Sequence, residues 1–122
     1  MTWTYHQSTG VIDHDGMNVG TGYAGKGKCR NVPHAQIHSK EGPLPQGRYT
    51  IASHFVDDSA AGKNSLRLTH DSRNRMYGRS RFLIHGDDSG HVGDSSEGGI
   101  VASYNIRQLM LHSGDKALVV VP

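Results

Sequence analysis

The sequence predicts a mainly β fold. Sixteen glycines divide the 122 residues into short segments, and several segments alternate polar and apolar residues or carry β-branched side chains. Such segments are typical of strands joined by turns rather than of a helical bundle. A chain of this length is expected to build one core, so we predict a single domain over residues 1–122 with one or two short helices.

The first half of the chain predicts a hairpin, a long loop and a rigid turn. Residues 2–8 alternate aromatic and polar side chains, and Asp15-Gly16 provides a turn for a hairpin. Residues 20–40 are rich in glycine and read as an irregular loop of a length that often borders a site. The segment Gly42-Pro43-Leu44-Pro45-Gln46-Gly47 then forms a rigid turn before a strand at residues 48–52.

The second half predicts three further strands and one helix. The strands are expected at residues 65–69, 81–85 and 116–121. Ser103 is a suitable N-cap for a helix that extends through Leu111. Ile106, Leu109 and Met110 have the i, i+3, i+4 spacing of one buried helix face, and Gly114 lies just past the end.

Charge and hydropathy restrict the partners. The net charge of +2 and the nine histidines suit an anionic polymer such as a cell wall. The densest basic group, Lys26, Lys28 and Arg30, has no interleaved aromatic residues, so nucleic acid is not an expected partner and a solvated loop is the simpler interpretation. The longest apolar run, residues 117–121, is far shorter than the roughly 20 residues of a membrane span.

The N-terminus and the single cysteine lead to two further predictions. Residues 1–6 have neither a basic region nor an apolar core, so we expect no secretory signal and delivery by another carrier. Cys29 alone cannot form an internal disulfide or a cysteine-rich zinc site.

The segment from Phe82 to Val101 contains the residues best suited to chemistry. A strand ends at His85-Gly86, a polar loop follows, and Ser96-Glu97-Gly98-Gly99 leads into the next strand. An imidazole at a strand end can act as a base across such a loop. Small residues at Gly98 and Gly99 let backbone amides approach a substrate carbonyl as an oxyanion hole. No side chain at Gly99 can attack that carbonyl.

This pattern resembles the L,D-transpeptidase signature, in which a strand ending in His-Gly precedes a Ser-x-Gly-Cys segment with the catalytic cysteine. Gly99 stands at the cysteine position. The resemblance extends over most of the chain, to the type VI secretion L,D-transpeptidase effectors, through Trp3, Tyr5 and Ser8-Thr9-Gly10, the 42–49 segment, Leu66-Arg67-Leu68 and Ser96-Glu97-Gly98. It implies a compact L,D-transpeptidase-type β-barrel or sandwich.

The resemblance also implies an activity. In this family a thiolate attacks the amide between meso-diaminopimelate and the terminal D-alanine of a peptidoglycan stem, and water or an amine releases the thioester. His85 would be the base, amides near Gly98 and Gly99 would hold the oxyanion, and Ser96 and Gly86 would shape the site or contact substrate. No metal or organic cofactor is implied. The implied setting is type VI delivery to a target-cell periplasm, with a cognate immunity protein as partner.

Two departures from the family pattern affect this expectation. Without a thiol at Gly99 the chain should be close to inactive, either because cysteine was replaced to make a toxic enzyme producible or because the protein is a natural pseudoenzyme. The retained His85 favours the first explanation. The family's arginine shortly after the cysteine is also missing, since the next arginine is Arg107.

Several alternatives remain at this stage. Cys29 could be the nucleophile, since Lys28 and Arg30 would favour its thiolate, although an incidental thiol in a loop is simpler. His34 and His38 could suggest a metal hydrolase, but no recognised ligand spacing is present. Asp87 and Asp88 could orient His85 or serve only as turn residues. A peptidoglycan-binding module that performs no reaction is the rival class.

Overall fold

The computed structural model describes residues 1–87, 93 and 95–122, and confirms the prediction of a mainly β fold with a short helix. The strands are β1 (Trp3–His6), β2 (Val11–His14), β3 (Met17–Thr21), β4 (Tyr23–Ala24), β5 (Gly47–Ile51), β6 (Val56–Asp58), β7 (Gly62–His70), β8 (Phe82–His85), β9 (Ile100–Val101) and β10 (Ala117–Val121). Helix α1 covers Tyr104–His112, and two 3-10 helices cover Gly27–Cys29 and Pro33–Ile37. No helix among the described residues has the length and apolarity needed to cross a membrane.

One sheet joins most of the strands in the order β3-β2-β1-β10-β5-β7-β8-β9-β4, and β6 pairs with β7 at its side. β1 and β10 are parallel neighbours, so the two ends of the chain meet in the middle of the sheet. β8 and β9 are also parallel, with Ile84 opposite Ile100 and His85 opposite Val101. The histidine strand and the strand after Gly99 therefore run side by side in the same direction.

Alternation along the central strands separates the core from the site. Leu66, Leu68, Phe82, Ile84 and Ile100 are all buried in the hydrophobic core. Side chains at intervening positions of a strand point to the opposite face. Arg67 of β7, and Leu83 and His85 on either side of Ile84 in β8, line a cleft, whose lining also includes Leu68 and Phe82.

The prediction of an N-terminal hairpin is correct for the position of the turn but wrong for the strands that the turn joins. Asp15-Gly16 does form a turn, and Asp15 has a positive φ of 52°. That turn joins β2 to β3, with His14 opposite Met17. A separate turn after His6 reverses β1 onto β2, because Gly10 takes the positive φ, 76°, that this turn requires.

The 20–40 loop is more ordered than predicted. It contains the end of β3, the short β4 and both 3-10 helices. The segment that follows it is buried at Gly42–Pro45, and the Tyr49 hydroxyl donates to the Pro45 carbonyl at 2.7 Å. Gln7, also buried, donates to the Leu44 carbonyl at 2.8 Å. This proline-rich turn is therefore an internal support for the fold.

Helix α1 begins at the predicted cap residue, but its buried face is rotated relative to the predicted one. The Ser103 side chain accepts a hydrogen bond from the Ile106 amide at 3.2 Å. The buried residues are Ile106, Arg107 and Met110, whereas Leu109 is 54% exposed. The predicted placement of Leu109 on the buried face was wrong, because Arg107 turns inward to donate to the backbone carbonyls of Ala102 and Asn64.

We expect Ser103→Ala to lower the free energy of unfolding by about 1 kcal/mol, because an amide of the first helical turn loses its acceptor. Urea denaturation measures the change, and Ser103→Asp, which restores an acceptor, should recover most of it. Equal stability of the alanine variant and the unmodified chain would contradict the capping role.

Candidate active site

A cleft of about 1100 Å³ is lined by residues of β7 and β8 and of the loops near them. Its floor comes from β7, β8 and the approach to β9, and the β6–β7 turn and the two loops around residues 26–40 and 95–99 contribute walls. The lining includes Lys26, Lys40, Asp58, Arg67, Thr69, Arg79, Arg81, Leu83, His85, Gly86, Ser95, Glu97 and Gly99. Three of the five predicted site residues, His85, Gly86 and Gly99, thus share one cleft.

His85 is held in the neutral form suited to a base. Its Nδ1 lies 2.9 Å from the Gly86 carbonyl oxygen, and since a carbonyl can only accept, Nδ1 carries the proton and Nε2 is the basic nitrogen. Only 6% of the residue is exposed. Burial holds the pKa of His85 below its usual range, the Gly86 carbonyl opposes this shift, and the charge of Arg107 adds to it.

Ser96 organises the loop before β9. It is fully buried, its hydroxyl donates to the Gly99 carbonyl at 2.6 Å, and it accepts from the amides of Gly98 and Gly25 at 3.0 and 2.9 Å. These contacts account for its donor and both of its acceptor positions. Ser96 therefore shapes the loop around Gly99, and the Gly98 amide, predicted as an oxyanion donor, is bonded to Ser96 in this conformation.

Gly98 occupies a position that excludes any side chain. Its φ is +131°, a region that L-residues rarely adopt. A Cβ here would overlap Arg79 Nη2 and lie 2.6 Å from the Phe82 ring. The close packing of Gly98 against these two residues brings the following glycine to the edge of β8.

Gly99 lies level with Leu83, one residue before the point where Ile84 pairs with Ile100. Positions 83 and 85 share a face of β8, so Gly99 adjoins the face that carries His85. However, a Cβ at Gly99 would overlap the Leu83 carbonyl oxygen. A side chain at this position requires residue 99 and β8 to move apart.

Arg79 ties the cleft loops together and was not singled out in the sequence. Its guanidinium donates to the carbonyls of Gln36, Pro43 and Gly42 at 2.6 to 2.8 Å, and to that of Glu97 at 3.4 Å. It is buried, and burial lowers the pKa of Arg79 from its usual value. The proline-rich turn and the Ser96 loop are thus joined through one side chain.

Asp87 holds the loop that follows His85 rather than His85 itself. The Tyr23 hydroxyl donates to the Asp87 carboxylate, the Gly93 amide donates to it at 3.2 Å, and the Ser95 amide donates to the Tyr23 hydroxyl at 2.9 Å. The Gly86 carbonyl is the group that contacts the His85 ring. Asp88 and His91 lie outside the described residues.

Arg107 is the first arginine after Gly99 in the sequence. It is 7% exposed and donates to the carbonyls of Ala102, Lys63 and Asn64. A Cβ at Gly86 would lie 2.8 Å from its Nη2. Arg107 therefore packs behind the His85-Gly86 segment and supports it, rather than lining the cleft.

The cleft carries an excess of positive charge. Five of its lining residues, Lys26, Lys40, Arg67, Arg79 and Arg81, are cationic, whereas Asp58 and Glu97 are the acidic ones. Lys26 and Glu97 approach to 3.7 Å. This set was not predicted from the sequence, although the predicted strand at residues 81–85 would place residues 81, 83 and 85 on one face; in the structure Arg81 precedes β8 with a positive φ of 64°.

The alternative chemical residues lie elsewhere. Cys29 is half-buried at the end of a 3-10 helix and does not line the cleft. His34 and His38 are exposed. Among the described residues, a group with metal-ligand geometry is His14, Asp15 and Asp115, outside the cleft. His14 there stacks on Trp3 and pairs with Asp115 at 2.8 Å, so this group has a structural role in joining chain ends.

His85 ends its strand with Nδ1 bonded to a backbone carbonyl, and it lies in a basic cleft beside the loop that contains Gly98 and Gly99. Such a site is suited to proton transfer on an anionic substrate. The Tlde1 domain family matches residues 18–122, and the chain therefore belongs to this family of type VI secretion L,D-transpeptidase effectors. No curated protein matches the chain in a sequence comparison.

We expect Gly98→Ala to lower the free energy of unfolding by about 2–4 kcal/mol, from backbone strain and overlap with Arg79 and Phe82. Gly114→Ala is the matched control, because Gly114 has an ordinary φ and open space around it. Thermal or urea denaturation distinguishes the two. Similar stability of both variants would show that the loop does not hold the described conformation.

His85 should titrate at a pH below 6.5 in an NMR titration of the histidine ring protons, because burial disfavours its imidazolium form. The unfolded chain binds this proton more readily, so acidification through that range should reduce stability, and less so in His85→Asn. Titration of the assigned His85 resonance above 6.5 would contradict the buried neutral ring.

Proposed function

We propose that this domain recognises the peptide stems of peptidoglycan in the cleft that contains His85 and Gly99, and that it derives from an L,D-carboxypeptidase or L,D-transpeptidase with a Cys-His mechanism. The observation that carries the proposal is the placement of His85, Gly86 and Gly99 in one basic cleft, in a chain of the Tlde1 domain family. The fold would be the L,D-transpeptidase-type barrel or sandwich.

The family reaction assigns a role to each element of this site. With a thiol at position 99, the neutral Nε2 of His85 would accept its proton, and the thiolate would attack the carbonyl carbon between meso-diaminopimelate and D-alanine. The protonated imidazole would return the proton to the departing D-alanine amine. Water, activated by the same nitrogen, would then hydrolyse the thioester; an amine in its place would complete a transpeptidation.

The chain as it stands lacks this nucleophile, and we propose that it does not turn over stem peptides. Gly99 offers no thiol, Ser96 is buried with its hydroxyl bonded to the loop, and Cys29 lies outside the residues that line the cleft. Covalent catalysis needs an attacking atom, and oxyanion contacts alone leave at most a small residual rate.

A second function, peptide binding without reaction, is favoured by the environment of Gly99. A Cβ there would overlap the Leu83 carbonyl oxygen, so the described backbone fits glycine better than cysteine. The cleft itself is open and cationic. A non-catalytic peptidoglycan-binding module would use the same surface and the same stems.

In the effector setting, the protein would reach the periplasm of a target cell by type VI secretion and act there as an antibacterial toxin. The producing cell would then need a cognate immunity protein, which we propose covers the cleft. A basic cleft of this kind favours an acidic partner surface.

The decisive experiment is mass spectrometry of tetrapeptide muropeptides incubated with the protein and with Gly99→Cys. We expect loss of terminal D-alanine only with Gly99→Cys, abolished by adding His85→Ala. Gly99→Ala is the matched control, because it introduces the same Cβ without a thiol and should be destabilised by about 1–3 kcal/mol like the cysteine variant.

The other outcomes are equally informative. Folded Gly99→Cys protein that binds stems but releases no D-alanine would support the non-catalytic binding module. Release of D-alanine by the unmodified chain would contradict the proposed inactivity and point to a different nucleophile.

A further inference from the structure

Two arginines on the cleft floor have no role in holding the fold. Arg67 of β7 stands opposite Leu83 of β8, and Arg81 directly precedes β8. Both side chains line the cleft together with Leu83 and His85. Both are exposed, and their long side chains border the same cleft, where one ligand could contact both.

The charges of this pair are uncompensated within the described part of the chain. Arg79 and Arg107 donate to backbone carbonyls, and Arg73 pairs with Asp71, but Arg67 and Arg81 make neither an ion pair nor a side-chain hydrogen bond among the described residues.

Asp58, an acidic residue of the cleft lining, forms no ion pair with either arginine. The amides of Ala61 and Ala60 are the main groups that hold the pKa of Asp58 below its usual value, and Arg67 adds a smaller contribution through its charge. The Asp58 carboxylate accepts hydrogen bonds from those amides at 2.7 and 2.9 Å. Asp58 is thus occupied by its own turn, and the guanidinium donors of Arg67 stay available for a ligand.

We propose that Arg67 and Arg81 form a carboxylate subsite for the acyl-donor stem, on the side of His85 that holds the retained part of the peptide. This inference rests on the proposed function. A guanidinium matches a carboxylate in a planar, two-bond geometry, and two of them in an open cleft form a binding site for such a group. The subsite selects stems whose acidic residues are free rather than amidated.

The spacing along β8 indicates which carboxylates can reach it. Arg67 is level with Leu83, two residues and about 7 Å along the strand from His85, and Arg81 lies just before the start of β8, further from His85 in the chain. The carboxylate of the leaving D-alanine adjoins the scissile bond, which places it nearer to His85. The α-carboxylate of γ-linked D-glutamate and the distal carboxylate of meso-diaminopimelate lie further along the stem and share the required chemistry.

The test is isothermal titration calorimetry of the unmodified chain with the stem tetrapeptide, in parallel with Arg67→Gln and Arg81→Gln. Each variant should weaken binding about tenfold, the effect of losing one charge-assisted contact. Arg75→Gln is the matched control, because Arg75 is exposed, stacks on Tyr77 and does not line the cleft. Circular dichroism verifies that every variant is folded.

Two amidated peptides identify the carboxylate. A tetrapeptide amidated at the D-glutamate α-carboxylate and one amidated at the distal carboxylate of meso-diaminopimelate are titrated into each protein. The amidation that removes the bound group should weaken binding to the unmodified chain about tenfold and have little further effect on the two arginine variants.

The negative outcomes separate the two proposals. If the unmodified chain binds the tetrapeptide and both arginine variants bind it equally well, the subsite is overturned and the proposed function stands. If neither amidation alters binding to the unmodified chain, the subsite is likewise overturned. If the folded, unmodified chain binds no stem peptide, the proposed function fails and the subsite fails with it.

Discussion

The buried guanidinium of Arg79 is the contact on which the arrangement of the cleft depends. It joins the carbonyls of Gln36, Gly42 and Pro43 to the Glu97 carbonyl, which lies more than fifty residues further along the chain. A buried charge is tolerated only when its donors are satisfied, so these carbonyls must converge where they do. Gly98 packs against this same group, which places the loop before β9 next to the histidine strand.

A second constraint acts on the loop itself. Ser96 bonds to Gly25, Gly98 and Gly99, and the positive φ of Gly98 lets the chain turn without a side chain in the way. The result is a loop whose shape is determined by backbone and hydroxyl contacts. In this conformation the loop leaves no room for a Cβ at Gly99, so a side chain at that position requires residue 99 and β8 to move apart.

The arginines around the cleft differ in whether they contact the backbone or remain available for a ligand. Arg79, at the cleft wall, and Arg107, behind the His85-Gly86 segment, donate to backbone carbonyls, whereas Arg67 and Arg81 line the cleft without such partners. Four arginines of similar appearance in the sequence thus have two different roles. Alternation along β7 and β8 decides the role of Arg67, and carbonyl groups from distant loops decide the role of Arg79.

How much the sequence predicts depends on the range of the interaction. Local patterns correctly gave the strand that ends at His85, the Ser103 cap and the turn at Asp15-Gly16, because each depends on residues that are neighbours in the chain. The same reasoning gave the wrong strands on either side of the Asp15-Gly16 turn and wrongly placed Leu109 on the buried face of the helix. Both errors arise because strand order and the buried position of Arg107 depend on contacts with distant segments.

Residue order alone was enough to predict the family, which the match over residues 18–122 shows, because a family pattern is a property of the sequence. Only the tertiary structure decided that Ser96 is a buried loop anchor and that the Nδ1 partner of His85 is the Gly86 carbonyl. It also decided that a Cβ at Gly99 meets Leu83. These are contacts of a few ångströms that arise when the chain packs, and residue order alone does not specify them.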